Sequence, residues 1–246
     1  MTPRLLVLDA ATETLHLGLC RGDRAWVRAL PGGALASSAL LPALMALLAE
    51  ARLGLRDLDA IGCGRGPGAF TGVRAACAVT QGLAFGAGRP VLMLDTLMAV
   101  AEDARRQGAA DELWVAVDAR MGEAYAARYR WADTGWTVLE PPALREPASL
   151  AARIAGEARP QQIAGSSLLA HAGAWAGLPG ASWPDSAPRA AALLALARAA
   201  WARGEQVDAA CALPLYVRDR VAQTTAERMA LRQAQVTAQA RGREPS

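Results

Sequence analysis

The sequence predicts an α/β protein of two similar lobes, each built on a mixed sheet with flanking helices. Short apolar and alternating segments, typical of strands, are interleaved with helical segments along the first half of the chain. The segment Leu5–Thr14 recurs at Trp114–Ala124, an offset of about 110 residues. The 246 residues, 53% hydrophobic and 20% charged, are enough to bury a substantial core.

The first lobe is predicted to span residues 1–108 in the order βββαβαβα. Leucines that alternate between Leu15 and Leu19 indicate a half-buried strand, and Gly54 follows a long helix whose candidate N-cap is Ser37 or Ser38. The other predicted elements are the strands Leu5–Leu8, Ala25–Leu30, Ala60–Cys63 and Val91–Leu94 and the helices Ser37–Leu53, Thr71–Phe85 and Thr96–Gln107.

The second lobe is predicted to span residues 109–223 and to repeat the opening strands of the first. Its later part is less regular, with a proline-rich connection at Glu140–Pro147 and a helix at Arg189–Ala202. Residues 224–246 are predicted to be a polar tail that frays. The aligned pairs of the repeat are Asp9 with Asp118, Glu13 with Glu123 (after one inserted residue) and Trp26 with Trp136.

The composition argues against several classes of chemistry. Lysine is absent, which removes Schiff-base lysines and the P-loop lysine, and a net charge of +3 permits nucleic acid nearby without arguing for it. Four scattered cysteines and two histidines have no metal-ligand or C-x-x-C spacing, so we expect buried free thiols. The longest apolar run, Ala39–Ala49, is too short to span a bilayer, and Asp9 interrupts the first apolar segment, so we expect a cytoplasmic protein.

A glycine-rich segment, "GRGPGAFTGVR" at Gly64–Arg74, joins a predicted strand to a predicted helix. Its Gly-x-Gly-x-x-Ala spacing, with Asp95 after the next strand, is that of a dinucleotide-binding loop. Pro67, however, lacks the N–H that a phosphate would need, and the loop follows antiparallel strands. We therefore favour a structural loop, defined by Gly64, Gly66, Pro67, Gly68, Thr71 and Gly72.

The duplicated aspartates suggest the superfamily of actin, hexokinase and Hsp70, in which two hairpin loops hold phosphates and a metal ion across a cleft. Such loops need backbone N–H groups close to the phosphate, which favours glycine. Here the loops read Asp-Ala-Ala-Thr and Asp-Ala-Arg-Met, so we predict degenerate phosphate loops with no metal and no cofactor. The positions concerned are Asp9, Thr12, Asp118, Arg120 and Glu123.

Two functions remain open for these acidic and basic residues. Asp118, Arg120 and Glu123 are interpreted as ion pairs that brace the lobes, with contact to a ligand or partner as the alternative. The alternative for the whole protein is a nucleotide-binding phosphotransferase of the sugar-kinase type, with Asp9 and Asp118 around a metal and a nucleotide.

Two helices of the first lobe are more apolar than packing on a sheet requires. Ala39–Ala49 is apolar on every side, and Thr71–Phe85 carries one charge and many small residues. We therefore predict that they form a face for a protein partner. The predicted contacts are Leu40, Leu41, Leu44, Met45, Val73, Arg74, Cys77 and Gln81.

Five segments of the chain resemble the TsaB family, the non-catalytic subunits of the bacterial machinery that forms threonylcarbamoyladenosine in tRNA. They cover most of the chain in the family's order. The segments are "LDAATE" (8–13), "GRGPGAFTGVR" (64–74), "QGLAFG" (81–86), "DARMGEAY" (118–125) and "PLYVRDRVA" (214–222).

The resemblance implies a set of partners. TsaB-like proteins pair with a catalytic homologue, TsaD, which acts on an adenosine beside the anticodon of tRNA, and an ATPase, TsaE, joins the pair. Members also self-associate through the helices of the first lobe. Arginines near the end of the chain are interpreted as a solvated helix face, with proximity to tRNA as the alternative: Arg218, Arg220, Arg228 and Arg232.

Overall fold

A computed structural model describes residues 2–33, 36–133, 135–159 and 161–218. The predicted tail at 224–246 and the arginines at 220, 228 and 232 lie outside these residues. The strands are β1 (Leu5–Asp9), β2 (Thr14–Arg21), β3 (Arg24–Pro31), β4 (Ala60–Gly64), β5 (Val91–Leu94), β6 (Glu112–Arg120), β7 (Glu123–Ala132), β8 (Gly135–Arg145), β9 (Ile163–Ala164) and β10 (Ser182–Trp183). The α-helices are α1 (Ala36–Ala51), α2 (Phe70–Ala87), α3 (Thr96–Arg106), α4 (Pro147–Ala155), α5 (Ser167–Ala170), α6 (Ala172–Trp175) and α7 (Ala190–Ala202).

The two sheets share one strand order, which explains the repeat in the sequence. The first sheet runs β3-β2-β1-β4-β5, and the second runs β8-β7-β6-β9-β10. In each, the first three strands are antiparallel, and the fourth pairs in parallel with the first. The predicted two-lobed fold of the actin and hexokinase superfamily is therefore confirmed, with Asp9 and Asp118 near the ends of the equivalent strands β1 and β6.

The first sheet is covered on both faces. One face packs against α1 and α2 through buried leucines such as Leu17 and Leu44. The other face packs against α7 through residues such as Val7 and Leu193. Helix α7 therefore belongs to the packing of the first sheet, although it follows the second sheet in the chain. No helix in the described ranges is long and apolar enough to cross a membrane.

Helix α3 lies between the two lobes. Its Leu97 and Val100 join the core of the second sheet, whereas Ala99 packs in the layer beneath the first sheet. The carboxylate of Asp95 fixes the start of this helix by accepting hydrogen bonds from the backbone N–H groups of residues 97 and 98. This contact places Asp95 directly at the junction of the lobes, where the Tyr129 hydroxyl of β7 also donates to it.

The prediction of a connection at Glu140–Pro147 is wrong. Strand β8 continues to Arg145, and α4 begins at Pro147 with Glu146 as its capping residue. Strand β8 lies at the edge of its sheet. Its register with β7 shifts next to residue 128, and this irregularity accommodates the two prolines of β8, Pro141 and Pro142. Helix α1 also begins at Ala36, so neither predicted serine precedes it as an N-cap.

Candidate functional site

The glycine-rich loop packs directly against the connection between β1 and β2. A Cβ at Gly64, Gly68 or Gly72 would lie closer than 3.0 Å to Asp9, Ala11 or Ala10, respectively, including backbone carbonyl oxygens at the last two. Gly66 has a φ of 91°, a conformation that favours glycine. The glycines are thus needed for close approach within the protein itself.

Backbone groups of the glycine-rich loop that leads into α2 are used inside the protein. The N–H of Ala69, the residue before the helix, donates to the Ala11 carbonyl over 2.7 Å. The Gly66 carbonyl accepts from the Thr96 N–H over 3.1 Å, and the Gly66 N–H donates to the Thr96 hydroxyl over 3.0 Å. Thr71 is the second residue of α2 and is exposed, so it does not cap the helix.

Asp9 is fully buried, and both of its carboxylate oxygens have a partner. One oxygen accepts from the Ala11 N–H over 2.8 Å, and the other accepts from the Thr96 hydroxyl over 2.6 Å. Burial raises the pKa of this carboxyl to about 6, although the Thr96 hydrogen bond opposes the shift. A carboxylate enclosed in this way offers no free oxygen to a ligand.

The second loop is open and carries ion pairs. Arg120 contacts Glu13 of the first lobe over 2.7 Å and Asp118 over 3.4 Å, while the Asp118 carboxylate also lies 3.2 Å from His171 Nε2. Arg218 donates to Glu123 over 2.8 Å and to a backbone carbonyl of the second loop. Asp118, Arg120 and Glu123 all lie in ion pairs, and the Arg120–Glu13 pair joins the two lobes.

A cavity of about 500 Å³ lies between the lobes. Its walls include the two loops, with Thr12 on one side and Asp118 and Arg120 on the other, and mostly apolar side chains elsewhere. The Thr12 hydroxyl donates to the Thr14 carbonyl over 2.9 Å, so it too has an internal partner. Among the described residues, no group of three or more His, Cys, Asp or Glu side chains is arranged to hold a metal ion.

One wall of this cavity comes from the segment 212–218, here called the C-terminal strap, which the sequence did not reveal. The Leu215 N–H donates to the Arg65 carbonyl over 2.8 Å. The Arg74 side chain donates to the Tyr216 hydroxyl over 2.7 Å and stacks on the Phe70 ring at 3.6 Å from its centroid. The strap has no regular periodicity, so no sequence pattern indicated that it closes back onto α2.

The predicted partner face divides into buried and exposed residues. Leu40, Leu44, Val73 and Cys77 are at most 4% exposed and pack in the core beneath the two helices. Leu41 and Met45 are each 45% exposed, Arg74 is exposed and Gln81 is half-buried. Phe85 of α2 is also a large exposed apolar residue, 84% exposed, and was not among the predicted contacts.

The sequence of this chain is similar to a protein-family model and to related bacterial proteins. The family model described as "TsaD: tRNA N6-adenosine threonylcarbamoyltransferase" matches residues 35–240. The tRNA threonylcarbamoyladenosine biosynthesis protein TsaB of Escherichia coli is 32% identical over 236 residues, which cover 89% of this chain and 96% of that protein. TsaB of Haemophilus influenzae is 41% identical over 122 residues, about half of each chain.

Solved structures give a similar result. A Pseudomonas aeruginosa protein, described as similar to the peptidase YEAZ, superimposes with a TM-score of 0.80 at 38% identity. The match covers 88% of this chain and 100% of that one. A second structure, YeaZ from the same organism, has a TM-score of 0.77 at 38% identity and covers 87% and 99% of the two chains.

Proposed function

Since this chain belongs to the TsaB family of tRNA threonylcarbamoyladenosine biosynthesis proteins, we propose that it is a non-catalytic subunit that binds a TsaD-like catalytic subunit. The outer face of α1 and α2 carries this proposal. It exposes Leu41, Met45 and Phe85, large apolar side chains on two helices that pack against each other. An exposed apolar surface of this kind is typical of a protein interface.

The state of the two loops supports a non-catalytic role. In the first loop, the Asp9 oxygens and the Ala11 carbonyl are engaged within the protein. In the second loop, Asp118 and Arg120 pair with each other and with neighbouring side chains. A sugar-kinase-type phosphotransferase would need these groups for a metal and phosphates, so we give this alternative second place.

The remaining partners follow from the family. We propose that a TsaE-like ATPase joins the pair, that tRNA is reached through the complex in the cytoplasm, and that a second copy competes for the same helical face when the catalytic subunit is absent. Because that face is shared, self-association and binding of the TsaD-like subunit should be mutually exclusive.

The test is capture of the TsaD-like subunit by variants of the helical face. Met45→Arg and Phe85→Glu each place a charge on an exposed apolar position and should weaken capture at least tenfold, since a charge buried without a partner costs several kcal/mol. Leu44 is unsuitable because it is fully buried, so Leu44→Arg would test folding. Val138→Arg, at a 45% exposed position of the second lobe, is the matched control.

The outcomes separate the two functions. If wild type captures the TsaD-like subunit and both helix variants capture it equally well, then the partner binds another surface. A chain that captures no TsaD-like subunit and instead binds ATP tightly would favour the phosphotransferase.

A further inference from the structure

Two buried cysteines lie against each other beneath the proposed partner face. Cys63 is the fourth residue of β4 and Cys77 lies in α2, and their sulfur atoms are 3.8 Å apart. Cys63 is fully buried and Cys77 is 3% exposed. The two cysteines are fourteen positions apart, and the glycine-rich loop lies between them, so sequence spacing alone gave no sign of the pair.

We propose that Cys63 and Cys77 form a reversible disulfide when the protein meets a peroxide, a modification site that links β4 to α2. The sulfurs must approach from 3.8 Å to about 2.05 Å, the length of a disulfide bond. The two cysteines lie on elements that pack directly against each other, with the small side chain of Ala76 beside Cys77 in the same core.

The two thiols differ in a way that suits this reaction. The Cys63 S–H donates to the Cys77 sulfur, which lowers the pKa of Cys77 and raises the pKa of Cys63. Cys77 is therefore the thiol that ionises first, and the thiolate is the nucleophile.

The chemistry balances with one molecule of hydrogen peroxide. The Cys77 thiolate attacks one peroxide oxygen, the O–O bond breaks, and the released hydroxide takes up a proton to leave as water. The Cys63 sulfur then attacks the resulting sulfenic acid, forms the S–S bond and expels a second water. Two thiols are oxidised to a disulfide, and the peroxide is reduced to two waters.

The other two cysteines do not join this pair. Cys20 packs on the opposite face of the first sheet, among residues that contact α7. Cys211 is exposed and follows the sheet in a short 3-10 helix at Ala209–Cys211. Cys211 is consequently a matched control for non-specific oxidation, since it is more accessible than either member of the pair.

The disulfide should change the position of α2, which forms part of the proposed partner surface. Its expected effect on partner binding rests on the proposed function, whereas formation of the disulfide does not. Cys77 lies three residues after Arg74 and four before Gln81 in α2, so it is their neighbour on the helix surface, with its own side chain buried. Drawing Cys77 toward β4 displaces the helix relative to α1. The expected result is weaker capture of the TsaD-like subunit by the oxidised protein.

The decisive experiment uses the isolated full chain, which needs no partner. Reduced protein is treated with hydrogen peroxide, its remaining thiols are alkylated after denaturation, and it is digested with trypsin. Trypsin cleaves after arginine except where proline follows, as at Arg89–Pro90. Each cysteine therefore falls in a different expected peptide: residues 5–21, 57–65, 75–105 and 204–218. We expect a linked pair of 57–65 and 75–105, two fewer alkylated thiols, and full reversal by dithiothreitol.

Variants define the result. Cys211→Ser should keep the link, whereas Cys63→Ser and Cys77→Ser should each lose it. Unlinked, fully alkylated 57–65 and 75–105 in oxidised wild type would overturn the proposal, as would a link that runs through Cys211. In the capture assay, we expect at least tenfold weaker binding that dithiothreitol restores; equal binding by linked and reduced protein would overturn the coupling to α2. Failure of the reduced protein to bind would count against the proposed function and not against the disulfide.

Discussion

Replacing Gly72 with alanine should destabilise the protein, whereas the same change at Gly82, in the same helix, should stabilise it. A Cβ at Gly72 would lie closer than 3.0 Å to the Ala10 carbonyl oxygen, a backbone atom that cannot rotate away. A Cβ at Gly82 meets nothing within 4 Å. The pair therefore separates the close approach of α2 to the first loop from the general effect of glycine in a helix.

The magnitudes follow from opposing effects. Alanine gains about 1 kcal/mol over glycine inside a helix, so Gly82→Ala should gain roughly 0.5–1 kcal/mol. At Gly72, overpacking costs about 1–3 kcal/mol. Separation of the helix from the loop also weakens the 2.7 Å hydrogen bond from Ala69 to Ala11, worth about 1 kcal/mol. The net expectation for Gly72→Ala is a loss of about 2 kcal/mol.

Urea unfolding followed by far-ultraviolet circular dichroism measures both changes. The free energy of unfolding is compared among wild type and the two variants in one buffer, with the slope against urea checked for constancy. If Gly72→Ala were as stable as Gly82→Ala, then α2 would not rest on the loop after β1, and the structural interpretation of the glycine-rich segment would be refuted.

Three further predictions concern buried and exposed charges. Because the native pKa of Asp9 is about 6 against an ordinary 3.8, the native state holds an extra proton between these values and its stability falls as that proton is lost; wild type should lose roughly 2.5 kcal/mol relative to Asp9→Asn as pH rises from 4 to 7, and a constant difference in urea titrations would contradict this. Tyr129→Phe removes the 2.9 Å hydrogen bond to buried Asp95 and should cost about 1–3 kcal/mol in thermal or urea unfolding; an unchanged stability would show that this contact is unimportant. The exposed Arg120–Glu13 pair should contribute less than about 1 kcal/mol, so Arg120→Ala should change the free energy of unfolding little. Because φ at residue 120 is 63°, which favours glycine, Arg120→Gly should be more stable than Arg120→Ala by about 1 kcal/mol.

The sequence predicted the secondary structure correctly where apolar residues recur at a regular spacing. Alternation between Leu15 and Leu19 predicted β2 as a strand, and the repeat extended the strand order to the second sheet. The predicted half-burial of β2 is wrong, because helices cover both faces of the first sheet and His16 is buried as well as the leucines. The segment Ala39–Ala49 of α1 is apolar throughout and has no such regular spacing. Leu40 and Leu44 face the sheet while Leu41 and Met45 face outward, and nothing in "ALLPALMALLA" distinguishes the two pairs.

Features that depend on distant contacts could not be predicted. Proline is disfavoured inside a β-sheet, but β8 tolerates it because β8 is an edge strand. Whether a strand lies at the edge depends on the topology of the whole sheet, which the local sequence does not give. The C-terminal strap is held by Leu215 against Arg65 and by Tyr216 against Arg74, pairs separated by well over half the chain. Such contacts follow from tertiary structure, for which the local sequence carries no periodic signal.

The two equivalent loops engage their polar groups within the protein in different ways, and the difference bears on where a partner can bind. The first is closed from within, because α2 and its glycine-rich lead-in lie on the carbonyl oxygens of Ala10 and Ala11. The second remains at the cavity wall but is occupied by side-chain pairs, with Arg120 reaching across to Glu13. In the first lobe, seating the helix so deeply fixes its inner side to the sheet and loop. Its outer side is then held in a fixed place next to α1 by these inner contacts, which supports the proposal that this side docks a partner.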